Sequence, residues 1–458
     1  MTKSKTLDTS GAAHPSGAWR GFNKTRTFAA LGWTGAAVAL SYIAWWRLPE
    51  DARGTIWAED GAVFLRETVT IGPVASIVEP YAGYLHTIPR LISGIAYTIA
   101  PLESYAVLMS FLSCAVVACI SLAVFQLSAA LVASRPIRLM FAMIPVFVPV
   151  GPLEVLGNAA NLHWYVLWLV PWLLIYRPSR WGAKVILFVV ALGSATTEII
   201  SAIFLPLALW QCFRAKNYAA AMGMFAGLAC QLVATASKPR YSSLPPVDSI
   251  EPLSVFYGFG LQSMTSLWET DKRSVASGIV NFGAYSVLIP VAVIVCLLIY
   301  VLAFGSLKWK VVAASSFCAA AICWTAAVVL NTTPEIDFAN FTEQDWLGRF
   351  TFLRYAAAPS MFLLVLVPAA WAVATERAGT TGCKETSRAF LAPAVLLVFL
   401  SVNYFPSLPS RAGGPEWKEF LTLARTDCTE NSEPREAAIP ISPTLWYAVL
   451  PCEVILTR

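Results

Sequence analysis

The sequence predicts an all-α polytopic membrane protein. Of its 458 residues, 57% are hydrophobic and only 13% are charged, and the mean hydropathy is +0.63. No ordinary soluble domain has this composition. A helical membrane span needs about 20 apolar residues, and runs near that length recur along the chain. They lie at 28–46, 104–133, 139–156, 161–176, 185–213, 218–236, 280–304, 311–330, 352–374 and 389–404.

Charge placement predicts the orientation. Lys and Arg collect in cytoplasmic loops, and here they cluster in the N-terminal tail, at 135–138, 177–184, 214–216, 308–310 and 377–388. Of the 27 acidic residues, only Asp8, Glu376 and Glu385 fall on that side. We expect a multi-pass protein of the plasma (inner) membrane, with the N-terminus cytoplasmic and the C-terminus extracytoplasmic. Because the basic residues are explained by orientation, no nucleic-acid partner is expected.

Two segments fix the number of spans. A span at 83–101, "GYLHTIPRLISGIAYTIAP", would place Arg135 and Arg138 outside, so we expect an amphipathic helix on the outer surface instead. The run 185–213 has basic residues at both ends and is predicted to break into two short helices at Glu198. The result is about 11 membrane segments, given the length that one span requires.

The chain divides into three predicted parts: a cytoplasmic tail at 1–27, a transmembrane domain at 28–405 with a first outer loop at 47–103, and a small extracytoplasmic tail at 406–458. Cys428 and Cys452 are the only thiols of that last part. An extracytoplasmic compartment is oxidising, so they are candidates for a disulfide.

The first candidate for chemistry is the acidic pair Glu59 and Asp60 in "WAEDG", which follows the first span. Carboxylates at the membrane surface can take a proton from a sugar hydroxyl or hold a divalent cation, Mg²⁺ or Mn²⁺. A solvated loop acid or a helix N-cap is the structural alternative. The sequence contains no motif that requires a cofactor.

Polar residues of other outer segments extend the candidate site. Tyr84, His86 and Arg90 lie in the predicted surface helix, where Tyr and Arg also serve as interfacial anchors. Arg90 is a candidate for a phosphate. Arg349 and Arg354 stand at the outer start of a late span, where the choice lies between snorkelling and binding a lipid-linked phosphate.

A further group is predicted at two helix junctions. Asn161 and His163 lie in a short polar hairpin, and Glu198 lies at the expected helix break. An ionisable group at membrane depth is costly and is a candidate functional residue by default. Capping of a helix end is an adequate structural explanation for Asn161. For His163, binding of a substrate hydroxyl and a structural role are equally supported, and a purely structural ion pair is the alternative for Glu198.

The arrangement resembles the GT-C-fold integral-membrane glycosyltransferases that use polyprenyl-phosphate sugars. The likeness lies in "AED" after the first span, the helix "GYLHTIPRLISGIAYTIAP", the break at Glu198 and "GRFTFLRYAAAP" at the entry to a late span. It covers most of residues 28–405 as a layout with loose motifs. In that family an acid of the first outer loop is catalytic and outer Arg residues bind the carrier phosphate.

The resemblance implies Asp60 or Glu59 as the base, with their roles left open, and Arg90, Arg349 and Arg354 on the lipid phosphate. His86, Tyr84, His163, Asn161 and Glu198 are then candidates for substrate binding. The expected partners are a polyprenyl-phosphate-linked sugar, a glycan or lipid acceptor of the cell envelope, and membrane lipids. A polysaccharide polymerase or ligase, and a lipid-linked glycan flippase or transporter, remain alternatives.

Overall fold

The protein is described by a computed structural model covering residues 17–239, 251–331, 333–378, 385–406, 409–430 and 435–458, with the side chains of 17–29 and 385–389 left undescribed. It is mostly helical, which confirms the predicted class in its coarse form. The helices up to residue 237 are α1 Gly17–Trp46, α2 Glu50–Arg53, α3 Arg66–Ile71, α4 Thr87–Ile99, α5 Tyr105–Leu127, α6 Arg135–Phe147, α7 Leu162–Ile175, α8 Trp181–Ala195, α9 Leu205–Phe213 and α10 Ala219–Ser237.

The second half continues with helices and one small sheet. Its helices are α11 Pro252–Gly258, α12 Lys272–Phe282, α13 Tyr285–Phe304, α14 Leu307–Leu330, α15 Glu343–Gly348, α16 Ala357–Leu364, α17 Leu366–Ala378, α18 Glu385–Ser401, α19 Trp417–Glu430 and α20 Cys452–Thr457. Strands β1 Glu436–Ile441 and β2 Trp446–Pro451 pair antiparallel, with Glu436 opposite Pro451.

Within the described ranges, five helical segments are long and apolar enough to cross a membrane. They are Leu102–Ala130, Ala219–Ser237, Tyr285–Phe304, Leu307–Leu330 and Arg354–Ala378. The protein is therefore an integral membrane protein by the length and composition of its helices. Further apolar helices, including α7 and α8, are shorter.

Prolines and glycines explain where helices stop short of the apolar runs. The run 139–156 was expected to span as one unit, but α6 ends at Phe147 and a π-helical turn follows at Gly151–Val155. Pro149 and Pro152 lack the N–H that a continued helix needs. Gly283, at φ 61°, likewise separates α12 from α13 inside the run 280–304.

The break predicted at Glu198 is present. Helix α8 ends at Ala195, and Glu198 caps the 3-10 turn Ile199–Phe204 by accepting the N–H of Ile200 at 2.7 Å. Helix α10 packs closely against α8, since a Cβ on Gly223 would lie 2.3 Å from the carbonyl oxygen of Phe188. Small residues permit such backbone contact between apolar helices.

Helix α4 is present, and its charged side chain is turned inward. Arg90, a phosphate candidate in the predicted surface helix, is fully buried, while Leu91, Ile95 and Ile99 are 45%, 41% and 66% exposed. His86 immediately precedes the helix rather than lying in it. An apolar exposed face suits a lipid environment, and the buried guanidinium of Arg90 pairs with Glu67 through Nη1.

The C-terminal tail packs into the first outer loop. The indole N–H of Trp417 donates to the carbonyl of Leu102 at 2.6 Å, and its backbone N–H donates to Gly54 at 3.0 Å. Arg425 pairs with Glu103. Cys428 and Cys452 form a disulfide with a Cα separation of 5.5 Å, the pairing for which the sequence makes them candidates. The tail thus packs against the segment 47–103.

Candidate functional site

The hairpin between α6 and α7 is held by Asp60 from the first outer loop. The backbone N–H of Ala159 donates to Oδ2 of Asp60 at 2.9 Å, and that of Ala160 donates to Oδ1 at 2.8 Å. Asp60 is 2% exposed. Both carboxylate oxygens are therefore engaged by amides that would otherwise be buried without acceptors.

Arg411 of the tail holds the same hairpin through different backbone groups. Its guanidinium donates to the carbonyls of Gly157 and Leu156 at 2.8 and 2.9 Å, and the residue is 3% exposed. Asp60 and Arg411 also attract each other electrostatically. We call this arrangement of Asp60, Arg411 and residues 156–161 the hairpin clamp. Sequence reasoning missed Arg411, although a lone Arg in the otherwise Gly-rich "SRAGG" was an available signal.

The two asparagines of the hairpin act as internal caps. Asn158 donates from Nδ2 to the carbonyl of Glu154 at 2.6 Å and accepts the backbone N–H of Asn161 at 2.9 Å. Asn161 is 3% exposed. Its expected role in substrate binding stays a prediction, and its observed contacts are those of the structural alternative.

Burial changes the proton affinity of Asp60. Burial raises the pKa of its carboxyl to about 7, against the lowering effect of the two amide hydrogen bonds, and the neighbouring Glu59 carboxylate raises it further. The group therefore titrates close to neutral pH while it lies inside the hairpin clamp.

Glu59, one residue earlier, is in a different environment. Its side chain is half-buried, and none of the hydrogen bonds among the described residues involves its carboxylate. It lies within electrostatic reach of Arg354. The preceding Ala58 has φ 20°, which is uncommon for a residue with a side chain, and such backbone is concentrated at functional sites.

Glu154 fixes Arg354, whose charge interacts with that of Glu59. Its Nη1 donates to Oε1 of Glu154 at 3.0 Å and its backbone N–H donates to Oε2 at 3.0 Å. The side chain of Arg354 is 34% exposed. Of the predicted phosphate ligands, Arg354 is the one that the structure places near an acid of the pair. We call Glu59, Glu154 and Arg354 the open face.

The other two predicted phosphate ligands lie elsewhere. Arg349 is exposed and pairs with Asp345 one turn earlier in α15, at 2.9 Å. Arg90 is fully buried, pairs with Glu67 through Nη1 and lies over the ring of Phe64 at 5.1 Å. Among the described residues, its Nε and Nη2 have no partner.

His163 and Glu198 form a buried ion pair or hydrogen bond through Nδ1 of the imidazole. Glu198 is 2% exposed and His163 is 9% exposed. Helix α4 is joined to this junction, because the N–H of Ile88 donates to the hydroxyl of Thr197 at 3.1 Å. Two predicted residues from separate segments are thus brought together.

His86 lies near this pair. Burial lowers the pKa of His86 well below its usual range, and the charges of His163 and Arg90 lower it further, so the imidazole is neutral. Its Nε2 faces the carbonyl of Tyr81 at 3.3 Å, and its ring is 4.0 Å from that of Tyr84 between centroids. Nδ1 of His86 is buried without a partner in the described part of the chain.

Among the described residues, no group of three or more His, Cys, Asp and Glu side chains has the geometry of a metal site. The comparisons with known proteins add no identification: no family model, curated protein or solved structure matches the chain. The fold defines the class, a mostly helical integral membrane protein. The chemistry must be argued from the site itself.

Proposed function

We propose that the protein is a membrane glycosyltransferase that moves a monosaccharide from a polyprenyl-phosphate donor to a glycan or lipid acceptor on the extracytoplasmic side. The observation that carries the proposal is the open face, where the half-buried Glu59, which makes no side-chain hydrogen bond among the described residues, interacts electrostatically with the partly exposed side chain of Arg354. A base and a cation are the two groups that this transfer needs.

In the proposed reaction, Glu59 accepts the proton of the acceptor hydroxyl as the hydroxyl oxygen attacks the anomeric carbon. The bond from that carbon to the phosphate oxygen breaks, and the phosphate leaves with the electron pair. Arg354 stabilises the charge that develops on the leaving phosphate, using N–H groups that Glu154 does not occupy. A direct displacement of this kind inverts the anomeric configuration.

Asp60 has a positioning role in this mechanism. Both of its oxygens accept buried amides, so it is poorly placed to take a proton from a substrate. By fixing the hairpin to the first outer loop, it fixes the backbone that carries Glu59 and the Glu154 that orients Arg354. The choice of base left open by the sequence is therefore proposed to fall on Glu59.

The test is transfer of radiolabelled sugar from a panel of polyprenyl-phosphate donors by membranes that contain the wild type or Glu59→Gln. We expect transfer in the wild type, with an inverted linkage by NMR, and loss of transfer in the variant. Transfer that is equal in both, or a product with retained configuration, would overturn the mechanism. No transfer from any donor would overturn the function.

The buried His163–Glu198 pair favours a second candidate, a transporter or flippase of lipid-linked glycans. Paired ionisable residues between apolar helices are typical of proton relays. Translocation of a fluorescent lipid-linked sugar in proteoliposomes, abolished by Glu198→Gln and unaffected by Glu59→Gln, would favour this function over transfer.

A further inference from the structure

A large cavity lies between the first outer loop and the tail. Its volume is about 1040 Å³, and its walls come from α2, from residues 410–416, from α19 and from the turn and strand at 440–447. We call it the acidic groove, because Glu50, Asp51, Glu416 and Glu419 all line it.

The chemistry of the acidic groove suits a polyhydroxylated ligand. Among the described residues that line it there is no Lys or Arg, so a phosphate would be repelled. Carboxylates only accept hydrogen bonds, and sugar hydroxyls donate them. Phe420, Trp446 and Tyr447 add aromatic surface to the same walls, and aromatic rings combine large apolar contact with polar edges.

A buried hydroxyl at the wall provides a separate indication. Ser442 lines the groove and is 2% exposed, and in the described part of the chain its hydroxyl makes no hydrogen bond. Gly414 faces it, since a Cβ there would lie 2.0 Å from Oγ of Ser442. The Ser442 hydroxyl is therefore available to bond a ligand hydroxyl in the groove.

The wall of the acidic groove is hydrogen-bonded to the segment that leads to Glu59. The backbone N–H of Ser442 donates to the carbonyl of Ile56 at 3.0 Å, and the N–H of Ala58 donates to the carbonyl of Ser442. Trp446 packs against the cluster that contains Trp57 and Ala58. The wall of the groove is therefore bonded to the residue that precedes Glu59.

We propose that the acidic groove binds a neutral oligosaccharide and presents its end to Glu59, which makes the acceptor a glycan. Its role as an acceptor site rests on the proposed function, while glycan binding does not. A lipid acceptor would need apolar walls. Such walls exist in a different cavity of about 560 Å³, between α13, α17 and α18, which is lined almost entirely by apolar side chains.

The test is isothermal titration of the purified full chain in nanodiscs with neutral hexose and pentose oligosaccharides of varied length. We expect the wild type to bind at least one oligosaccharide, and Glu50→Gln/Glu419→Gln to raise its Kd by about 10-fold or more, since hydrogen bonds to charged groups are strong. Asp427→Asn is the matched control, because Asp427 is an exposed acid of α19 that does not line the groove. It should bind like the wild type.

Three results would overturn the groove proposal: no oligosaccharide binds, the double variant binds as tightly as the wild type, or tetralysine binds more tightly than every oligosaccharide. Glu59→Gln separates this proposal from the proposed function. If the oligosaccharide binds in a groove-dependent way but transfer does not depend on Glu59, the glycan site stands and the transferase mechanism fails. If transfer depends on Glu59 and the groove binds nothing, only the groove proposal fails.

Discussion

The hairpin clamp and the open face are neighbours along the chain and differ in how their polar groups are used. In the hairpin clamp, the side chains of Asp60 and Arg411 form hydrogen bonds with backbone groups of residues 156–160. In the open face, Glu59 has no hydrogen-bond partner among the described residues, and Arg354 is partly exposed. The comparison indicates that satisfied buried groups build the site, whereas available ones are left for substrates.

The clamp should respond most strongly to loss of Asp60. Asp60→Ala leaves the amides of Ala159 and Ala160 buried without an acceptor, at about 1–3 kcal/mol for each. We expect the free energy of unfolding to fall by about 2–6 kcal/mol, measured by denaturant unfolding in detergent.

Asp51→Ala is the matched control for that prediction. Asp51 also accepts two backbone N–H groups, from Ala52 at 2.8 Å and Gly413 at 2.7 Å, but it is exposed, so water can replace it. Its loss should cost under about 1 kcal/mol. Equal costs for the two variants would remove the distinction between a buried clamp and a surface cap.

Arg411, the residue that the C-terminal tail contributes to the hairpin clamp, should depend on the disulfide for its position. Cys428→Ser removes a cross-link between residues 24 apart, which constrains the unfolded chain by about 3 kcal/mol. We expect a lower Tm and earlier proteolysis within 409–458, because the tail carries Arg411. Cys119→Ser, at an exposed free thiol, is the control. An unchanged Tm in Cys428→Ser would show that the tail is held by packing alone.

The raised pKa of Asp60 also predicts how the stability of the protein changes with pH. Its pKa is about 7 in the folded protein and 3.8 ordinarily, so between these values the native state holds a proton that the unfolded state lacks. Stability should therefore decline as the pH rises from about 4 to 7, by at most about 1.4 kcal/mol per pH unit from this group. The slope should be reduced in Asp60→Asn. An identical slope in that variant would assign the dependence to other groups.

Substitutions in the open face should weaken binding of the donor and leave the stability of the protein nearly unchanged. Arg354→Lys keeps the charge but loses the planar fork, so we expect the KM for the lipid-phosphate donor to rise about 10-fold with little change in Tm. Arg349→Lys should change KM less than about 2-fold, because Arg349 is paired with Asp345 at the surface. A larger effect at Arg349 would relocate the phosphate site.

Sequence patterns were sufficient for features governed by local chemistry. Helix α14 follows from an apolar run, and the break at Glu198 follows from a polar interruption between basic ends. Sequence patterns were insufficient where a residue's position depends on a partner that is distant in the chain. Arg411 bonds residues more than 250 positions away, and Asp60 bonds amides about 100 positions away. The inward orientation of Arg90 likewise depends on Glu67, a partner outside the helix pattern.

The central claim is that Glu59 performs chemistry and Asp60 holds the structure, and one paired measurement tests it. Tm and sugar transfer are measured side by side in Glu59→Gln and Asp60→Asn. We expect Glu59→Gln to keep the wild-type Tm and to lose transfer by about 10²–10⁴-fold, the contribution of a general base. Asp60→Asn should lower the Tm and keep more transfer per folded molecule than Glu59→Gln. The reverse, a stable but inactive Asp60→Asn and an active Glu59→Gln, would contradict the account.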